Sequence, residues 1–365
     1  MNDAQSLDFM VRKDDLREVR FAKPDTRAGQ TLEPGEALLR IDRYAFTANN
    51  ITYALVGQAM RYWDFFPAPE GWGRVPVWGY AEVAASRASA LLEGARFFGC
   101  LPMSAELRVR PEHVTDSGFV DATAHRRALP AAYQRLARVQ TGDPASEDIG
   151  AVLKPLAGTG FLIADWLNDQ AFFGARQVLV TSASSKTALA TAFHASRWPE
   201  RGCEVIGLTS PRHRAFCERT GYYDRVLEYA RLDELPASVP TTLVDMAGDP
   251  EVLQWVHTHF GAASLRYSCL VGLTQRTPYS VARPDPSTVF LHRATSIAVG
   301  RLWVPKCFWS AWPELSKHSS RLRATGSKSS ADAVRPRSKR LIARCSTASP
   351  RPNEDTFCRC EARGA

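Results

Sequence analysis

A strand-like run, Gln177-Val178-Leu179-Val180, passes directly into Thr181-Ser182-Ala183-Ser184-Ser185-Lys186-Thr187-Ala188 and then into a helical pattern. The first strand-to-helix turn of a doubly wound sheet is where backbone amides and a helix N-terminus meet a pyrophosphate, and glycines are usual there. This turn has none. Its small residues still allow close approach, the hydroxyls of Ser182, Ser184, Ser185 and Thr187 can donate to phosphate oxygens, and Lys186 adds a charge. A Ser-rich N-cap that binds nothing is the plain alternative. Twenty-three residues beyond Lys186 a second strand ends at Thr209-Ser210, followed by Pro211-Arg212-His213-Arg214. An NAD enzyme places a carboxylate there, on the ribose hydroxyls. Here Thr209 and Ser210 can hydrogen-bond a 2′-phosphate while Arg212 or Arg214 neutralises it, a pattern that reads as NADP(H). Solvated residues at a helix start would carry the same letters.

The elements that must position these residues alternate. QVLVTSA, CEVIGLTS and DRVLEY read as strands, with helices SKTALATAFHASRW and PRHRAFCERTGY between them; TTLVDMAG and LRYSCLVGLT are further buried strands around the helix PEVLQWVHTHF. Such alternation predicts a parallel sheet with helices on both faces. The first half reads differently: EALLRIDRYAF, PVWGYAEVAAS and two runs in RFFGCLPMSAELRVRPEHV are strand-like, with turn signals every dozen or so residues, as in a compact barrel-like domain. The polar segment TGDPASEDIG places a boundary near residue 150, before the helical AVLKPLAGTGFLIADWLNDQAFFGA. Lys186-Thr187 after a strand also matches the end of a phosphate-binding G-x-x-x-x-G-K-T loop, but Val180 and Ser185 occupy its glycine positions.

With 365 residues, 45% hydrophobic, the chain can bury more than one core. The N-terminus has no apolar leader, and no run reaches the roughly 18 apolar residues of a membrane span, so a soluble cytoplasmic protein is expected. The net charge of +8 resides in residues 316–365, which hold twelve basic and four acidic residues; residues 1–315 balance at 34 of each. None of Cys100, Cys203, Cys217, Cys269, Cys307 and Cys345 falls in a zinc-type cluster, and the pair Cys358 and Cys360 cannot complete a four-ligand site. Residues 316–365 lose periodicity and read as a disordered basic tail, suited to nonspecific attraction to nucleic acid or acidic lipid; no specific nucleic-acid partner is expected. The text beyond about Phe290 also has the look of a GC-rich message read out of frame.

VLVTSASSKTALATAFHA, EVIGLTSPRHRAFCERTGYYDRVLEY and LVDMAG follow one another as in the medium-chain dehydrogenase/reductase superfamily, which the chain resembles over about residues 7–290. With TANNITYALVG, PVWGYAEV and SASSKTA it looks most like a domain-of-unknown-function branch related to zinc-free quinone oxidoreductases. The resemblance implies an α/β architecture: a GroES-like β-rich domain over 1–150, a doubly wound Rossmann domain over 151–290 and a substrate cleft between them. Residues 291–315 would be a degenerate return to the first domain. Where zinc-dependent members carry Gly-His-Glu, this chain has Gly79-Tyr80-Ala81-Glu82, without the histidine. The resemblance further implies that Asn49 or Asn50 orients the nicotinamide carboxamide or holds the substrate oxygen. Tyr53 then either donates a proton or only hydrogen-bonds, with Gly57 closing the stretch. A turn Asn pair with a core Tyr is the alternative.

Thr159, Gly160 and Phe161 match the place where family helices approach the cofactor. Tyr62, Trp63, Phe65, Phe66, Trp72, Trp78 and Tyr80 would either wall an apolar substrate site or cover a barrel end. His113, His125 and His194 show no partner pattern. The function expected is a zinc-independent NADP(H)-dependent oxidoreductase acting on a quinone, enone or carbonyl compound, with homodimers common in the fold. The competing expectation is a non-catalytic binding or accessory protein of the same fold.

Overall fold

This computed structural model describes residues 7–22, 31–140, 143–198, 200–272 and 356–359, the last four by backbone alone. The chain divides into two units, Met1–Val152 with Pro305–Ala365, and Leu153–Val304.

The first unit is β-rich. Strands β1 (Asp8–Arg12) and β2 (Val19–Ala22) pair antiparallel, and β3 (Ala37–Phe46) leads into helix α1 (Ala48–Leu55). The short β4 (Trp72–Gly73) completes the small sheet on the other side of β1. The larger sheet adds β5 (Pro76–Ser86), β6 (Arg96–Pro102), β7 (Glu106–Val109), β8 (Pro111–Thr115) and β9 (Gly118–Asp121), then helix α2 (Ala131–Gln134) and β10 (Arg135–Val139). Its order is β3-β5-β6-β10-β9-β8, with β7 against the first half of β3. Alternation along β3 shows why it holds: Ala37, Leu39 and Ile41 are buried, while Leu38, Arg40 and Asp42 turn away. They meet Val83, Phe97, Leu101, Val109, Phe119 and Leu136 in one core.

Three sequence expectations change here. RFFGCLPMSAELRVRPEHV forms three strands, β6, β7 and β8, rather than two runs. The stretch ANNITYAL, expected as a loop, is helix α1. The helix expected from Ala151 begins earlier, inside the polar segment, because Asp143 caps helix α3 (Pro144–Asp169). Its carboxylate accepts from the Ala145 and Ser146 amides at 3.1 and 3.0 Å, and Pro144 opens the first turn.

The second unit is built on a parallel sheet. After α3 come β11 (Gln177–Val180), α4 (Lys186–Ala195), β12 (Glu204–Thr209), α5 (Pro211–Thr220), β13 (Arg225–Glu228), β14 (Thr241–Asp245), α6 (Pro250–Ser264) and β15 (Leu265–Leu270). The order β13-β12-β11-β14-β15, parallel throughout, is the 3-2-1-4-5 order of a Rossmann sheet, with the reversal between β11 and β14. Successive strand residues face opposite layers. Leu179, Ile206, Leu208 and Leu243 pack with Val256 and Phe260 of α6, whereas Val178, Val180, Val205 and Val244 pack with Leu167 of α3 and Ala188 and Ala192 of α4.

Between α3 and β11 the backbone turns left-handed at Ala171, Phe172 and Phe173, with φ of 46°, 51° and 57°. The cost of such a run is offset by burial of Phe172 and by stacking of Phe173 on Tyr267 at 4.1 Å. Near the chain's end β16 (Thr356–Arg359) pairs antiparallel with residues 43–46 of β3. The rest of the expected tail, the expected return segment and the change of text after Phe290 lie outside the described residues.

Candidate functional site

The turn from β11 to α4 sits at the C-terminal edge of the sheet, beside its switch point. Ser182 adopts φ 48°, the left-handed conformation that a glycine would take at less cost. Hydrogen bonds from three sides hold it. The Ser182 N–H donates to the Tyr229 hydroxyl at 2.7 Å, and the Tyr223 hydroxyl donates to the Ala183 carbonyl at 2.8 Å. Thr181 donates to the fully buried Asp245 at 2.7 Å and accepts from the Met246 amide at 2.8 Å. Ser185 caps α4, its Oγ accepting from the Ala188 amide at 3.3 Å, and Lys186 is the first helical residue. Among the described residues the amides of Ser184 and Thr187 have no hydrogen-bond acceptor, so they and the Ser184 hydroxyl are available to an anion.

The end of β12 divides the four residues expected to hold a 2′-phosphate. Thr209 is buried within the domain. Arg214 is committed to Glu218 at 2.8 Å and Glu228 at 3.3 Å. Ser210 Oγ lies 3.3 Å from His213 Nδ1, and burial together with the Arg212 charge holds that imidazole below its usual pKa. Arg212 is exposed and forms no ion pair among the described residues. The cation and hydroxyl left at this strand end are therefore Arg212 and Ser210, and no carboxylate terminates β12.

The catalytic candidates belong to the β-rich unit. Asn50 is 3% exposed and its amide is committed at both ends: Oδ1 accepts from the Thr47 N–H at 2.7 Å, and Nδ2 donates to the Pro76 carbonyl at 2.7 Å. It fastens α1 to the start of β5, which corrects its expected role on a cofactor or substrate. Tyr53 lies one helical turn beyond Asn49, whose side chain hydrogen-bonds the phenol; Trp78 Nε1 donates to the same oxygen at 3.2 Å. Burial raises the Tyr53 pKa above the usual phenol value, so the group is a neutral hydrogen-bond donor rather than a ready acid. Gly57 serves packing: a Cβ there would come within 2.3 Å of the Trp63 ring.

Tyr133, unmarked in the sequence, completes the aromatic group. Its ring lies 4.7 Å from Phe65, 5.9 Å from Trp78 and 6.0 Å from Tyr62. Tyr223 and Tyr229 were equally unmarked; both lie in the run GYYDRVLEY, where nothing in the spacing separates a turn-holding phenol from a core one. At the expected cofactor-facing helix, Gly160 packs on Ala190 of α4, Phe161 meets the His194 ring edge at 5.1 Å, and Thr159 donates to the Pro155 carbonyl. Gly160 and Phe161 thus join α3 to α4, while the Thr159 bond stays within α3. At the zinc-family position, Tyr80 is 2% exposed and Glu82 pairs with Arg40 at 2.9 Å. Among the described residues no group of three or more His, Cys, Asp or Glu could hold a metal, and no helix is long and apolar enough to cross a membrane.

The model of the family described as "Protein of unknown function (DUF2855)" matches residues 44–296, well over half of the chain. The chain belongs to this DUF2855 family. No curated protein matches it. Similar solved structures include CurA in complex with NADPH from Vibrio vulnificus, 12% identical, covering 77% of this chain and 74% of that one, TM-score 0.49. Glucose dehydrogenase from Haloferax mediterranei, in complex with NADP, Zn and gluconolactone, is 12% identical over 83% and 91% at TM-score 0.45. A mutant form of enoyl thioester reductase from Candida tropicalis is 11% identical over 80% and 83%, also at 0.45. In this DUF2855 chain the anion-facing turn and the cationic strand end lie on one sheet, and the phenol cluster lies on the other.

Proposed function

We propose that this DUF2855 protein is an NADP(H)-dependent oxidoreductase of the medium-chain type that works without zinc. The observation that carries the reading is the end of β12, where Ser210 and an exposed Arg212 with no ion pair among the described residues stand beside the β11–α4 turn in place of a carboxylate. A planar guanidinium with a neighbouring hydroxyl suits a phosphate monoester, and the strand end lacks the carboxylate that would accept from both hydroxyls of a free ribose diol. The turn fits the pyrophosphate of the same cofactor. Two amides and the Ser184 hydroxyl are available there, Lys186 adds charge, and the strained Ser182 is pinned by Tyr229 so that the loop needs no reordering on binding.

Bound there, the nicotinamide supplies a hydride. The chain's own residues do the rest: Arg212 and Ser210 select the phosphorylated ribose, the turn and Lys186 hold the pyrophosphate, and the phenol cluster around Tyr53, kept neutral by burial, offers hydrogen bonds to a substrate oxygen. The substrate class is a quinone, enone or carbonyl compound. The absence of histidine and cysteine ligands at Gly79–Glu82 supports chemistry without a metal.

Titration of the full chain with NADPH and NADH, followed by intrinsic tryptophan fluorescence, tests this reading. NADPH binds more tightly than NADH; Arg212→Ala removes about tenfold of that preference, and Lys186→Ala weakens both nucleotides. Equal affinities in the unaltered protein, or an Arg212→Ala variant that keeps the preference, would show the cofactor assignment to be wrong.

A further inference from the structure

In the β-rich unit three tyrosines converge: the buried Tyr53 of α1, the buried Tyr62 of the turn that follows, and the half-buried Tyr133 of α2. Tyr53 and Tyr62 have ring centroids 4.7 Å apart. The hydroxyl of Tyr53 is already served by Asn49 and Trp78. The other two are not so well placed. Tyr62 and Tyr133 bring their hydroxyl oxygens to 3.5 Å, beyond the roughly 2.5–3.0 Å of a good O–H···O hydrogen bond. Two donors at that separation can both reach one acceptor lying about 2.7 Å from each. Two-donor sites of this form stabilise an oxygen on which charge develops.

The surroundings define the acceptor. Phe65, Trp78 and Phe98 line the cluster, and Trp78 and Tyr133 are its half-buried members, where a ligand would enter. Burial lifts both phenols above their usual pKa, so they remain neutral donors, and it pushes the Cys100 thiol beside them up to about 12. The cation acting on that thiol, Arg126, is taken. It is fully buried against Asp121 at 3.2 Å, lies 4.8 Å over the Phe66 ring and donates to the Tyr133 carbonyl. Asp121 in turn accepts from the Arg110 and Thr123 amides and the Thr123 hydroxyl. Arg126 thus acts as a positioning residue that fixes the backbone of Tyr133. With aromatic walls and two neutral donors, a carboxylate or phosphate would be stranded without a counter-charge, whereas the oxygen of a planar carbonyl compound would not.

We propose that the Tyr62 and Tyr133 hydroxyls form a two-donor subsite for the carbonyl oxygen of a conjugated, planar substrate such as a quinone or an α,β-unsaturated ketone. This assignment rests on the oxidoreductase reading and narrows it. Its test uses no cofactor. Full-chain protein is titrated with 4-dimethylaminocinnamaldehyde, a neutral, planar, conjugated aldehyde, by difference absorbance, alongside Tyr62→Phe, Tyr133→Phe and a Tyr80→Phe control. Binding is saturable; each of the first two substitutions weakens it about tenfold and the control leaves it unchanged. Each change keeps the ring, and thermal midpoints confirm that the variants fold. Infrared difference spectra of bound 2-cyclohexenone need no variant: two donors shift the carbonyl stretch to lower frequency. No saturable binding, binding that survives either substitution, or an unshifted carbonyl band overturns the subsite. Failure here with the NADPH preference intact removes the subsite alone, and loss of NADPH binding with aldehyde binding intact removes the cofactor reading alone.

Discussion

Asn50 shows how much one buried amide can fix. Replacing it by alanine leaves the Thr47 amide and the Pro76 carbonyl without partners, at a cost of about 1–3 kcal/mol, read as a lower urea midpoint with unchanged slope. His194 makes a pH-dependent contribution. It is 7% exposed, and burial lowers its pKa from 6.5 to about 4. The unfolded chain therefore takes up a proton between those values that the folded chain refuses. Stability tied to this residue is complete above pH 6.5 and is lost as the pH falls towards 4, with a slope of up to about 1.4 kcal/mol per unit. In His194→Leu that part of the slope disappears, which denaturant titrations from pH 7 to below pH 5 would register against the unaltered protein. The sequence marked Asn50 and Arg212 but not their states. Letters show that an amide or a guanidinium is present; only the neighbours show that Asn50 and Arg214 are already engaged while Arg212 forms no ion pair among the described residues.

At the scale of elements, Trp63 is held in a slot between two glycines. A Cβ at Gly57 would approach its ring to 2.3 Å and one at Gly73 to 2.5 Å, and the indole, 6% exposed, has nowhere to retreat. Gly73→Ala accordingly costs about 1–3 kcal/mol and loosens the join of β4 to the turn after α1, seen as a lower thermal midpoint and weaker near-ultraviolet dichroism. The strands and helices of the parallel sheet were legible because each keeps one period and ends at a clear turn signal, as at Ser210-Pro211 and Gly221. Helix α1 was not, since two asparagines read as turn formers until Asn50 is seen returning its side chain to the Thr47 amide. The start of α3 was placed at Ala151 rather than Pro144 for the same reason: Asp143 is a cap, and caps and turns use the same polar residues.

For the molecule as a whole, the larger sheet of the β-rich unit is extended by a strand from far along the chain. Thr356–Arg359 pairs with residues 43–46 of β3, where β7 no longer reaches. A chain ending at residue 355 leaves that edge without a partner, so it should melt at lower temperature and self-associate more, as light scattering would register. Had the shorter chain the same midpoint and mass, the pairing would contribute nothing. The four-residue strand was invisible in a basic, aperiodic segment because pairing with a preformed edge needs no periodicity of its own. The phenol cluster carries a consequence of another kind. Tyr53, Tyr62, Phe65, Trp78 and Tyr133 are fixed at centroid separations of 4.7–6.0 Å and at set angles, close enough for their electronic transitions to couple. The β-rich unit thus carries a built-in chromophore array, and light absorbed by its tyrosines drains to the Trp78 indole for as long as that unit remains folded.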